Sequence, residues 1–190
     1  AGALALLPLA AQGLVGKHTV VNIVTGISGA GRSASMGTHF GELNENVIPY
    51  KVAGTHRHTA EIELSLGRAR AFGKHAKTHA PSQIRVDRPV ISFSPHLVPM
   101  TRGILASCYT HPEMDALASG EKVTTESVLE LYHQFYQDDP LITVQDALPQ
   151  TKATYGSDRV IISARVDERS GHIAAFAAED NLGKGAAGQA

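Results

Sequence analysis

The sequence predicts an α+β fold, a mostly antiparallel mixed sheet with helices packed on one face. Three observations point there. Short stretches rich in apolar and β-branched residues read as strands, and the last two, Arg159–Val166 and His172–Ala178, are joined by Asp167–Gly171 as a hairpin. Two segments carry apolar residues at helical spacing, Ile62, Leu66 and Ala69 in one, Val128, Leu131, Tyr132 and Phe135 in the other. The coarse order is helix, strand, helix, then strands with one further helix and the hairpin.

The totals bound what such a chain does. Its 190 residues suit one large domain, or one with a small annex, and bury a core without covalent staples. Hydrophobic residues at 43% and charged residues at 18% are ordinary for a soluble globular protein. Lys and Arg number 17 against 18 Asp and Glu, so bulk charge recommends neither nucleic acid nor an anionic membrane as a partner. Ten histidines change charge over mildly acidic pH. Cys108 is the only cysteine, which forbids an internal disulfide and fits a reducing compartment. It lies within the strand Ile104–Thr110, where a buried, inert thiol is expected.

Taken in order, residues 1–15, AGALALLPLAAQGLV, read as a buried helix ending near Gly13. They lack the basic leader of a signal peptide, and Pro8 and Gly13 interrupt them too early for a bilayer span. A start on Ala within an apolar helix suggests a piece of a longer protein. Thr19–Thr25 is a β-branched strand that runs into Gly26-Ile-Ser28-Gly29-Ala-Gly31-Arg32. Backbone N–H groups of such a loop can approach an anion, with Arg32 adding a fixed charge. A plain turn is the simpler reading, because neither a GxxxxGK[ST] nor a GxGxxG pattern is present. Residues 33–49 look irregular, and a helix follows to about Phe72. A polar connection with His75 and His79 leads to the strand Pro89–Pro95. Pro95, Pro99 and Gly103 stiffen the link to the next strand, Ile104–Thr110. A helix capped by Thr124 or Thr125 ends at Asp138-Asp139-Pro140, and Leu141–Val144 is a short strand. The tail from Asp180 opens a helix or frays, and its glycines permit close approach of a cofactor.

Chemistry concentrates in Tyr50-Lys-Val-Ala-Gly54-Thr-His56-Arg57-His58-Thr-Ala-Glu61-Ile-Glu63. With Thr59 as N-cap, His58 stands at or just before the first helical turn and shares a face with Glu61. A carboxylate beside an imidazole fixes its tautomer and raises its basicity, as acid–base catalysis requires. Two other readings stay open. Glu61 and Glu63 can simply complement the helix dipole. Alternatively His56, His58 and Glu61 are metal ligands, although no HExxH helix supports that.

The motifs Ser28-Gly-Ala-Gly-Arg32, Tyr50 to Glu63, Ser94-Pro-His-Leu-Val-Pro-Met-Thr-Arg-Gly-Ile-Leu105 and Asp180-Asn-Leu-Gly-Lys-Gly-Ala-Ala-Gly-Gln189 span nearly the whole chain. In that order they resemble the second half of the N-acetyl-γ-glutamyl-phosphate reductases of arginine biosynthesis. Ala60, where the family usually has Pro, and Gly183, usually bulkier, depart from the pattern. The resemblance implies a glyceraldehyde-3-phosphate dehydrogenase-like C-terminal domain that is both catalytic and dimer-forming. In that family a cysteine attacks an acyl phosphate and the thioester is reduced by NADPH. By resemblance His58 is the acid–base partner of that cysteine and Glu61 its orienting carboxylate, with Tyr50 and His56 lining the pocket. Arg32 and Arg57 are the candidates for the substrate's phosphate and carboxylate. Ser28 and Gly29 would face the nicotinamide, with Asn181, Lys184 and Gly185 on the cofactor's other side.

The resemblance further implies NADP as cofactor, a small acyl-phosphate substrate, a cytoplasmic or organelle-lumen location, and a homo-oligomer built through the sheet. The nucleophile and the Rossmann domain are expected outside this chain, which alone is expected to reduce nothing. The alternatives are a sister aminoadipyl-phosphate reductase of lysine biosynthesis, a standalone dimerisation module, and a metal-binding module.

Overall fold

A computed structural model describes residues 1–33, 35–73, 88–112 and 122–186. The polar connection with His75 and His79, and the tail beyond 186, lie outside the described residues. The strands are β1 Thr19–Thr25, β2 Ile48–Pro49, β3 Ile91–Leu97, β4 Ile104–Thr110, β5 Ile142–Val144, β6 Val160–Asp167 and β7 His172–Glu179. They form one mixed sheet in the order β2-β3-β1-β4-β7-β6-β5. Only the β1–β3 and β5–β6 pairs are parallel, so the expected mostly antiparallel sheet is present.

Strand periodicity sends one set of side chains to a covered face. On β1 that set is Thr19, Val21, Ile23 and Thr25. Phe93 of β3, Ala106 and Cys108 of β4, Val160 and Ile162 of β6, and Ile173, Ala175 and Ala177 of β7 join it in one core. The cover is α1 Gly2–Ala11, α3 Arg57–Phe72 and α4 Thr125–Phe135, with a single-turn α2 at Phe40–Leu43 outside the core. The central helix α1 packs against α3, α4, β4 and β7. The alanines of β4 and β7 leave room for it, and Leu6 and Leu9 are wholly buried, each burial stabilising by roughly 1.5–3 kcal/mol. Thr19 and Thr110 share a hydrogen bond at 2.7 Å under this layer, and Gly16 supplies the rest of their partners, so both buried hydroxyls are satisfied.

Pro8 lies inside α1 and cannot donate to the carbonyl of Leu4. The Tyr136 hydroxyl donates to that carbonyl at 2.6 Å, and the Tyr132 hydroxyl donates to the neighbouring carbonyl of Ala5. The stripe expected on α4 is therefore shifted. Tyr136 is buried and Phe135 is 42% exposed, because the tyrosine's hydroxyl has an acceptor in the core and the phenyl ring does not.

No helix among the described residues covers the sheet's other face. Its rows are His96, Val24, Leu105, Ala178, Ile161, then Ser94, Asn22, Ser107, Phe176, Ser163, then Ser92, Val20, Tyr109, Ala174, Arg165. Most are half-buried, apolar or small, and Tyr109 packs edge-on against Phe176.

Three further details differ from expectation. α3 begins at Arg57 with His56 as its N-cap, so Thr59 lies inside the first turn. β3 continues through Pro95 to Leu97; the two-residue β2 has run out beside Pro95, whose carbonyl accepts from Tyr50 N–H at 3.1 Å. Residues 181–186 form turns rather than a helix.

Candidate active site

The first turn of α3 organises the site. His56 caps it with its ring, Nδ1 accepting from the backbone N–H of His58 at 3.1 Å. That bond leaves the neutral ring's proton on Nε2. The ring packs against Phe93 at 5.1 Å, Tyr50 at 5.8 Å and His58 at 4.7 Å between centroids. Burial, reinforced by His58, Lys51 and Arg57, pushes its basicity below the ordinary histidine value, against the pull of Glu61. His56 is thus a neutral structural cap at pH 7.

His58 is different. Its side chain is 48% exposed, and Nε2 lies 3.8 Å from Glu61 Oε2. The i,i+3 spacing expected from sequence is realised, and the imidazole has a carboxylate to orient it and a face open to reactants. Glu63 has another task. It accepts from Ile91 N–H at 3.1 Å and pins α3 to β3. Arg57 and Arg32 are exposed and make no ion pair among the described residues.

Helix α3 runs parallel to α1. Gly2 lies beside Ile62, where an added Cβ would come 3.8 Å from Ile62 Cδ1, and at the far end Gly73 abuts Ala11. The start of α1 is therefore level with the second turn of α3.

The Gly-rich loop after β1 is held by the connection between β3 and β4. Gly26 N–H donates to Gly103, Ile27 N–H to Met100 and Ser28 N–H to Thr101, at 2.8–3.1 Å. Gly29 and Gly31 donate within the loop. These amides thus have backbone acceptors within the protein, as in a plain turn. Gly26 fits because a Cβ there would come 2.9 Å from the backbone of Met100 and Arg102. Asn181 is buried beneath the loop. Its Oδ1 accepts from Gly103 N–H, and its Nδ2 donates to Thr25 Oγ1 at 2.9 Å and to Gly26 O at 3.2 Å. The Ser28 hydroxyl is buried with no hydrogen-bond partner among the described residues. Lys184 is half-buried and Gly185 exposed in the turns that follow.

Sequence reasoning missed the pair that fastens this end of the sheet. Asp180 receives Arg102 Nε and an Arg102 terminal nitrogen at 2.9 Å each, Gly156 N–H at 2.6 Å and Leu182 N–H at 2.9 Å. Burial alone would push its carboxyl up, but those donors hold it below the ordinary carboxylate value. Arg102 also stacks over Tyr155 at 5.0 Å. Both residues lie inside motifs quoted from the sequence, and a complementary charge in each was the available signal.

Cys108 is fully buried and its thiol is pushed up to about 12 by burial, so it is no nucleophile at neutral pH. Among the described residues no three His, Cys, Asp or Glu side chains converge for a metal, and His56 Nδ1 is already engaged, so the trio His56, His58 and Glu61 gains no support as ligands. No helix among the described residues is long and apolar enough to cross a membrane.

Comparison with known proteins gives a consistent result. The family described as semialdehyde dehydrogenase, dimerisation domain, matches residues 1–181. The N-acetyl-gamma-glutamyl-phosphate reductase of Thermus thermophilus is 48% identical over 190 residues, 100% of this chain and 51% of that protein. The Bacillus subtilis protein of the same name is 42% identical over 190 residues, 98% of this chain and 48% of that protein. The chain thus spans about half the length of the curated relatives it matches. The crystal structure of aspartate semialdehyde dehydrogenase II from Vibrio cholerae shares the fold, with a TM-score of 0.61 at 17% identity over 96% of this chain and 55% of that one.

Proposed function

Because this chain belongs to the semialdehyde dehydrogenase family through its dimerisation domain, we propose that it is the catalytic and dimer-forming half of an NADPH-dependent reductase. The reaction converts N-acetyl-glutamyl 5-phosphate to N-acetyl-glutamate 5-semialdehyde and phosphate. One observation carries the reading. An exposed imidazole, partnered by Glu61 and freed from capping by His56, stands at the start of α3. The nucleophilic cysteine and the Rossmann domain belong to sequence outside these 190 residues.

In this scheme His58 takes the thiol proton. The thiolate attacks the acyl carbon, the bond from that carbon to the phosphate oxygen breaks, and a thioester and phosphate result. When bound, NADPH would supply the hydride that reduces the acyl carbon; the carbon–sulfur bond then breaks to release the semialdehyde, and the cysteine takes its proton back from His58. Glu61 holds the imidazole in register and stabilises its protonated form. Arg57 and Arg32, exposed and without an ion pair among the described residues, meet the substrate's phosphate and carboxylate through guanidinium forks. Tyr50 and Phe93 fix His56, and His56 fixes the helix start.

The loop after β1 fits a nicotinamide on one count, the unbonded hydroxyl of Ser28. A buried donor without a partner suits a carboxamide, and Gly29 beside it keeps the approach open. Asn181 supports this loop from below and so acts as a positioning residue. Lys184 and Gly185 remain the candidates on the cofactor's far side. The sheet face that no described helix covers, with Phe176, Tyr109 and Leu105, suits a second copy in an isologous dimer. A reducing cytoplasm suits chemistry that depends on a thiolate.

The test is NADPH oxidation by the complete polypeptide and by the 190-residue chain. The complete protein should oxidise NADPH only when the acyl phosphate is present, and the 190-residue chain should not oxidise it at all. Acyl-phosphate-dependent oxidation by the short chain, or none by the complete protein, would overturn the proposal.

A further inference from the structure

Two histidines outside the candidate active site meet at one end of the sheet. Thr110 of β4 pairs with Ile173 of β7, and both side chains are wholly buried on the helix-covered face. The adjoining residues, His111 and His172, therefore turn to the other face, one row beyond Tyr109 and Ala174. Both are exposed, and their rings stand 5.1 Å apart between centroids, inclined at 77°.

Three details fit this pair to a metal ion. The first is spacing. An imidazole nitrogen binds zinc at about 2.0–2.1 Å, which puts each ring centroid about 3.2 Å from the ion. At a tetrahedral angle two such centroids lie about 5.2 Å apart, against 5.1 Å here. The second is orientation. His111 Nδ1 lies 2.9 Å from the carbonyl oxygen of Pro112. A carbonyl only accepts, so Nδ1 carries the proton of the neutral ring and Nε2 keeps its lone pair. A bond from the far nitrogen to a backbone carbonyl is how metal-binding imidazoles are held. Nε2 has no hydrogen-bond partner among the described residues, and a Cβ on Gly171 would come 3.1 Å from it. Gly171, at a φ of +70°, thus leaves that nitrogen uncovered. The third is rigidity. The loop before His172 is fixed by Ser170 and Gly171 N–H donating to the Asp167 carbonyl at 3.2 and 2.8 Å. The Asp167 side chain neighbours His172 in the sheet but is held by Arg169 at 3.1 Å, so the protein's ligands are the two imidazoles.

We propose that His111 and His172 form a two-histidine site for a divalent transition-metal ion, zinc foremost, with water completing its shell. Two protein ligands are fewer than a structural zinc site has, so the ion is exchangeable. Bound there, it ties the end of β4 to the start of β7 at the margin of the open face. The reductase reading uses neither histidine, and the site does not depend on it.

The experiment titrates Zn²⁺ into the complete protein, His111→Gln, His172→Gln, the double variant, and His133→Gln, which removes an exposed histidine on α4 as a control. Each single variant at the site should weaken binding of one zinc per chain by about tenfold or more. The double variant should lose no more than about twofold beyond either single one, because a lone imidazole does not chelate. His133→Gln should bind within about twofold of wild type. Both site residues are exposed, so without zinc the variants should melt within about 2 °C of wild type. Wild-type crystals soaked in Zn²⁺ should show an anomalous peak about 2.0–2.1 Å from a nitrogen of each ring. Unchanged zinc binding in both single variants, losses that simply add in the double variant, or a peak on one ring alone would overturn the site. A failure of NADPH oxidation would count against the reductase reading only, since zinc binding is measured without turnover.

Discussion

Replacing Asp180 by Ala removes the acceptor for four donors at once, two from Arg102 and the backbone N–H groups of Gly156 and Leu182. Asp180 itself is fully buried, so no water replaces the lost carboxylate without rearrangement. Breaking a buried pair by deleting one partner costs about 3–5 kcal/mol. The Arg102 side chain keeps 24% of its surface exposed, so solvent relieves part of its stranded charge and the lower end, about 3 kcal/mol, is expected. For a domain of this size each kcal/mol moves the melting temperature by about 2–4 °C, so the variant should melt about 6–12 °C lower. Asp180→Asn keeps one acceptor and should lose less. The pH dependence has a definite sign. The folded carboxyl lies below its unfolded value, so its contribution is fully present above about pH 3.9 and is lost as pH falls through the folded value. The gap between wild type and Asp180→Asn should therefore close in acid. Thermal melts of the three proteins at neutral pH and near pH 3 give both readings. An Asp180→Ala protein melting within about 2 °C of wild type would refute the reasoning.

Other outcomes follow from the same contacts. Tyr136→Phe should cost about 1–3 kcal/mol, because the Leu4 carbonyl loses its donor and Pro8 has none to give; in a Pro8→Ala background the restored N–H should shrink that loss, as a double-mutant cycle of denaturant midpoints will report. Cys108 should resist alkylation at pH 8 in the native protein and react at once after unfolding, as mass spectrometry of the adduct will show. Gly183→Ala should destabilise by about 1–3 kcal/mol in thermal melts, since its Cβ would collide with the Ser157 carbonyl oxygen.

Much of the fold was legible because it rests on local periodicity. β1 shows strict alternation of burial, and α4 carries a Thr124–Ser127 capping box just ahead of its apolar stripe. The His58–Glu61 pairing was legible for the same reason, since three residues on a helix fix a shared face. What escaped depends on distant partners or unusual chemistry. An imidazole is an uncommon N-cap, so Thr59 looked the better one. The amides of the Gly-rich loop looked available for an anion because their acceptors, Met100, Thr101 and Gly103, lie more than seventy residues away. Tyr136 rather than Phe135 turns inward because Pro8, far earlier in the chain, leaves a carbonyl to be met. The role of Asn181 was obscured likewise: its amide joins β1, the start of β4 and the tail, segments that no local pattern connects.

If His58 is the acid–base group of an acyl-phosphate reductase, as proposed, a His58→Asn variant loses turnover and little else. Asn removes the titrating ring but keeps a polar side chain at an exposed position, so the variant should fold and bind as before. The complete enzyme carrying it should lose about 10²–10⁴-fold in kcat for acyl-phosphate-dependent NADPH oxidation, with melting temperature unchanged. Near-wild-type turnover would contradict the account and remove His58 from the chemistry.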